Sequence, residues 1–178
     1  TKCAEAARNP ETALTEAAMT PAVDRFPSRP FASESDYGLM SRLLVEVLAL
    51  AGPPVYATIG NLDWWRVAEE DPRSIYQTQL WFDSGQLVAF AWPIEGQVDI
   101  VVHPDHPPLH NVALAWSETY FAAHAAEGAV APWVAWAFTG DAARIAALSA
   151  RGYRQTERGL VVYGQPVPDP APQPALPD

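Results

Sequence analysis

Asp99 and His103 stand four positions apart in the run 98–103, whose apolar residues mark it as a β-strand. Strand alternation puts both on one face with Val101 between them. A carboxylate and an imidazole on one face can share a cleft as a base pair, or His103 and His106 can cap the strand end in solvent. Both readings are compatible with the residues. Glu95, in the turn Glu95-Gly96-Gln97 that leads into the strand, is the second carboxylate placed to take a proton. His103, His106, His110 and His124 form no metal signature, because the first three straddle a strand end, a proline loop and a helix start. No cysteine or closely spaced carboxylate group completes a ligand set, so no metal is expected. Cys3 is the single cysteine and is read as an incidental thiol.

Among the seven tryptophans, Trp116, Trp133 and Trp136 fall at apolar-face positions and are expected in the core. Trp64 and Trp65 are adjacent on a short helix and cannot both face inward. One of them is expected to line a groove or a partner surface.

The elements that must position these residues are legible from periodicity. Asp36 reads as an N-cap, followed by Leu39, Met40, Leu43, Leu44, Val47 and Leu48 at helical spacing, and Gly52, Pro53 and Pro54 stop that helix. A second short helix spans 62–70 and Pro72 closes it. Alternation over 76–82, the turn Asp83-Ser84-Gly85-Gln86 and the apolar run 87–92 predict a hairpin, and the turn at 95–97 adds strand 98–103 as an antiparallel meander. After Pro107 and Pro108 the period changes to helical, with Leu109, Val112, Ala113, Trp116, Tyr120 and Ala123 on one face. A buried strand at 133–138, a helix capped by Asp141 and ended by Gly152, and a strand at 153–163 complete the order. The fold class expected is α/β (α+β), a mixed, mostly antiparallel central sheet with helices on both faces.

The 178 residues suit one domain with a real core, over 28–163. Residues 1–27 are Ala-, Thr- and Pro-rich and read as an N-terminal extension with a candidate helix at 10–19, although an ordered arm packed on the domain suits them equally. In 164–178 near-alternating prolines favour an extended linker or tail. A net charge of −10 argues against nucleic acid and anionic membranes as partners. No apolar run is long enough to span a bilayer and no secretory signal is visible, so the expected location is cytoplasmic.

Two stretches resemble the GNAT N-acetyltransferase superfamily. Val98-Asp-Ile-Val-Val-His-Pro-Asp-His106 before a helix matches the family's fourth strand and its approach to the coenzyme loop. Asp141-Ala-Ala-Arg-Ile-Ala-Ala-Leu-Ser-Ala-Arg-Gly-Tyr153 is similar to its later helix and Gly-Phe turn. Asn61-Leu-Asp-Trp-Trp-Arg66 is similar to the amino-terminal halves of tandem GNAT proteins. The resemblance implies acetyl-CoA as co-substrate, held by Val101, Val102 and His103 on the strand and by Leu109, His110, Asn111 and Val112 at the helix start. It implies Glu95 and Asp99 as catalytic bases, and Tyr56, Trp64 and Trp65 on the side of the acceptor, a small-molecule amine or a peptide N-terminus. The loop departs from the family pattern, since Pro107, His110 and Val112 stand where Arg or Gln, Gly, and Gly or Ala are usual. Leu148 stands where many members carry a proton-donating tyrosine. The function implied is transfer of acetyl from acetyl-CoA to a primary amine. The alternative is a catalytically degenerate GNAT module, with a structural or partner role toward a second GNAT domain beyond the Pro-rich tail.

Overall fold

Two short turns build the first half of the sheet. Ser84 (φ 50°) and Gly85 (φ 81°) both take the left-handed conformation that a two-residue hairpin turn requires, and they join β3 (Gln79–Asp83) to β4 (Gln86–Ile94). Gly96 (φ 71°) lies in the turn from β4 to β5 (Gln97–Val102). β3, β4 and β5 pair antiparallel, as the sequence predicts. The protein is described by a computed structural model at residues 2–8, 25–52, 55–68, 74–94, 96–124 and 133–161.

Helix α1 (Glu34–Ala51) begins one turn earlier than expected, with Ser33 as N-cap and Asp36 in the first turn. Asp36 is not the cap; its carboxylate reaches back to the backbone N–H groups of Ala32 and Ser33. Met40, Leu43 and Leu44 are buried, but Leu48, expected on the same stripe, is 45% exposed. Helix α2 (Ile59–Ala68) also starts early, because Thr58 and Asn61 bond reciprocally at its N-terminus. Residues Ser74–Gln77 form a 3₁₀ turn that takes in Tyr76 and Gln77, the start of the predicted strand, and Thr78 N donates to Ile75 O before β3 begins.

Helix α3 (Leu109–His124) carries the chain from β5 to the parallel strand β6 (Val134–Phe138). Asp141 caps α4 (Ala142–Ala150) as expected, accepting from the Arg144 N–H at 2.9 Å. Gly152 (φ 81°) then turns the chain into β7 (Tyr153–Val161).

The N-terminal segment, read as an extension or as an ordered arm packed on the domain, contributes β1 (Lys2–Arg8), which pairs antiparallel with β6 on one side and β7 on the other. Its Lys-Cys-Ala-Glu-Ala-Ala-Arg sequence has few β-formers, and backbone pairing with two open edges overrides the weak propensity. With β2 (Ser28–Pro30) at the far edge, the strand order is β2-β3-β4-β5-β6-β1-β7. The candidate helix 10–19, Glu95 and the Pro-rich segment 164–178 lie outside the described residues.

Helices cover both faces of this mixed sheet. On one, Leu109, Ala113, Ala147 and Leu148 of α3 and α4 pack with Val98 and Ile100. On the other, Met40, Leu43 and Leu62 of α1 and α2 pack with Phe90, Trp92 and Val101. Among the described residues no helix is long and apolar enough to cross a membrane.

Candidate functional site

The parallel strands β5 and β6 pair only at Gln97 with Val134 and at Val98 with Ala135. Beyond those pairs they separate, so backbone groups along Asp99–Val102 and Trp136–Phe138 have no partner strand across the gap. The side chain of Arg144, only 4% exposed, fills it. Its Nη2 donates to Ile100 O at 2.7 Å and its Nη1 to Trp136 O at 3.1 Å, so one guanidinium bridges the two strands. Nε donates to His110 Nδ1 at 3.4 Å, and Cζ lies 3.6 Å from the centroid of the Tyr56 ring. Tyr56, from the segment before α2, donates its hydroxyl to Asp141 Oδ2 at 2.7 Å and accepts from Phe138 N at 3.1 Å.

Arg144 is a buried cation near a helix N-terminus, where the helix dipole disfavours positive charge. Planar donors matched to two carbonyls, an aromatic face and two neighbouring carboxylates offset that cost. Burial would raise the pKa of Asp141, but the Arg144 backbone N–H, the Tyr56 hydroxyl and the Arg144 charge together hold it below the usual carboxylate range. Burial pushes Asp99 up to about 7, against the opposing pull of Arg144. Burial and the Arg144 charge push His110 down to about 4, which keeps it neutral with Nδ1 as acceptor and the proton on Nε2. Burial likewise raises Tyr56, so its hydroxyl stays a donor.

The structure therefore brings together Tyr56, Asp99 and His110 of the sequence candidates, around two residues not singled out as site members, Arg144 and Asp141. Arg144 left one signal: a charge in the stripe it shares with Ala147 and Leu148, three and four positions on. The other candidates disperse. His103 accepts from Asp105 N at 3.2 Å and meets the His106 ring edge-on at 5.4 Å, while His106 pairs with Asp83 at 3.0 Å. His103 is thus engaged at the strand end and makes no hydrogen bond to Asp99 among the described residues. Val101 and Val102 are buried in the cores on opposite faces, Leu109 and Val112 are buried, and Asn111 is exposed. Trp65 packs edge-on against Trp92 at 5.4 Å, whereas Trp64 is 65% exposed and lines an open hollow of about 510 Å³ on the outer side of α2. Leu148 is buried in the core. No group of three His, Cys, Asp or Glu side chains able to hold a metal occurs among the described residues.

No protein-family model and no curated protein sequence matches the chain. Solved structures do. A GNAT-family acetyltransferase from Colwellia psychrerythraea is 11% identical, with a TM-score of 0.55, over 86% of this chain and 52% of that one. A Drosophila protein is 16% identical, with a TM-score of 0.52, over 87% of this chain and 48% of its own. At such identity the likeness shows the fold, which is GNAT-like. The chain spans about half the length of the solved structures it matches.

The fold raises the question of acetyl-CoA, and the residues present do not fit it. At the start of α3, Pro107 and Pro108 have no N–H, Leu109 N is spent on His106 O at 3.0 Å and His110 N on Pro107 O at 3.1 Å. In the gap, Ile100 O, Trp136 O and Phe138 N already have side-chain partners.

Proposed function

We propose that this chain is a catalytically degenerate GNAT-like module that serves a structural or partner-domain role beside a second, competent unit. The observation that carries the reading is the Arg144 bridge between Ile100 O and Trp136 O, which uses acceptors an acyl carrier would need. The proline-bearing start of α3 and the match to about half of longer structures support it. Fold alone does not supply activity.

A second reading, transfer of acetyl to a primary amine or peptide N-terminus, is favoured by one feature. Asp99, held near 7, has the proton affinity of a base that works at neutral pH. Titration of acetyl-CoA into the purified chain by calorimetry separates the two. The degenerate module gives no heat and no thermal shift, and micromolar binding would overturn it.

A further inference from the structure

We propose that Arg144 is a built-in occupant of the gap between β5 and β6, one side chain that holds shut a slot for an extended, amide-bearing ligand. The inference rests on the reading above and names what closes the site. The gap offers two carbonyl acceptors on facing strands, Ile100 O and Trp136 O, and one donor, Phe138 N. An extended chain with secondary amides matches such a set as an added strand does, donating to carbonyls and accepting from an N–H. Arg144 and Tyr56 satisfy the same three groups from within. The guanidinium supplies two in-plane donors to the carbonyls, and the Tyr56 hydroxyl accepts from Phe138 N.

Arg144 is also fixed at its own base, since its backbone N–H is held by Asp141, whose other oxygen holds Tyr56. Withdrawing the guanidinium would break two bonds to carbonyls, one to His110 and the contact with the Tyr56 ring at once. A ligand that brings only neutral amides cannot replace charge-assisted bonds of that kind. The closed state is therefore the stable one, and the obstacle is a single side chain.

The test uses the whole chain and pantetheine as probe, which carries amides and no phosphate, so the proline-bearing start of α3 plays no part. Ligand-observed NMR should show no pantetheine binding to the wild type and millimolar binding to Arg144→Ala. Methylguanidinium should refill the vacated slot, displace pantetheine and raise the melting temperature of the variant but not of the wild type. A folded Arg144→Ala that takes up neither compound overturns the proposal and leaves the degenerate-module reading standing. Acetyl-CoA binding by the wild type would overturn that reading and, with it, the closed slot that rests on it. Should Arg144→Ala not fold, the wild type still decides. A closed slot requires the Arg144 Nε–H to exchange with solvent at least tenfold more slowly than that of exposed Arg42, and equal rates would refute it.

Discussion

Arg144 and Tyr56 hold one another at the gap: Arg144 Cζ sits 3.6 Å from the Tyr56 ring centroid, and Asp141 holds both the Tyr56 hydroxyl and the Arg144 backbone N–H. Removing the hydroxyl alone, in Tyr56→Phe, strands Phe138 N and is expected to cost about 1–2 kcal/mol. Urea unfolding of Tyr56→Ala, Arg144→Met and the double variant should return a coupling energy of about 1 kcal/mol or more. Strict additivity would mean the contact carries no energy.

Opposed pKa shifts predict an unusual pH profile. Asp99, raised from 3.8 to about 7, binds more protons in the native than in the unfolded state across that window, so its contribution to stability falls as pH rises. His110, lowered from 6.5 to about 4, binds fewer, so its contribution rises with pH between those values. Between pH 4 and 6.5 the two slopes oppose, and the wild type should be nearly flat from this pair. In Asp99→Asn the His110 slope stands alone, so stability should climb by roughly 1–3 kcal/mol over the window. In His110→Asn, which keeps an acceptor for Arg144, stability should fall with pH instead. Denaturant midpoints measured at half-unit pH steps check both signs.

Adjacent tryptophans on α2 should differ sharply. Trp65→Ala removes the edge-on partner of Trp92, which is fully buried, and is expected to cost about 3 kcal/mol. Trp64→Ala, on the exposed side, should change stability by less than about 0.5 kcal/mol. Thermal melts of the two variants distinguish them, and equal losses would contradict the assignment.

Asp36 anchors the start of α1 through a bidentate pair with Arg29 at 2.8 and 2.6 Å and through two backbone N–H groups. The Arg29 hydrogen bonds lead in holding the Asp36 carboxyl below its ordinary value. Arg29 is 44% exposed, so solvent screening limits the loss in Asp36→Asn to about 2 kcal/mol. The sign with pH follows from the lowered pKa: the contribution is complete above 3.8 and disappears as pH falls through the native value. The gap between wild type and variant in acid titrations should therefore close below pH 3.8.

The sequence determined the local elements on the strength of local causes. Ser84-Gly85 set the hairpin, Asp141 and Gly152 bounded α4, and the period of 109–123 fixed α3, because turn conformation, capping and one-sided burial act within a few residues. Asp99 was legible as a candidate by residue type and strand position, and His110 only through the family resemblance at the start of α3. The place of β1 was not, since its pairing comes from two strands more than a hundred residues away and its own residues barely favour a strand. Arg144 is the clearest case of what tertiary structure decided. In sequence it is one charge in the apolar stripe of a short helix. Only the separation of β5 from β6 beyond Val98 and Ala135 leaves two carbonyls without a strand, and only their desolvation makes a buried guanidinium the group that satisfies both.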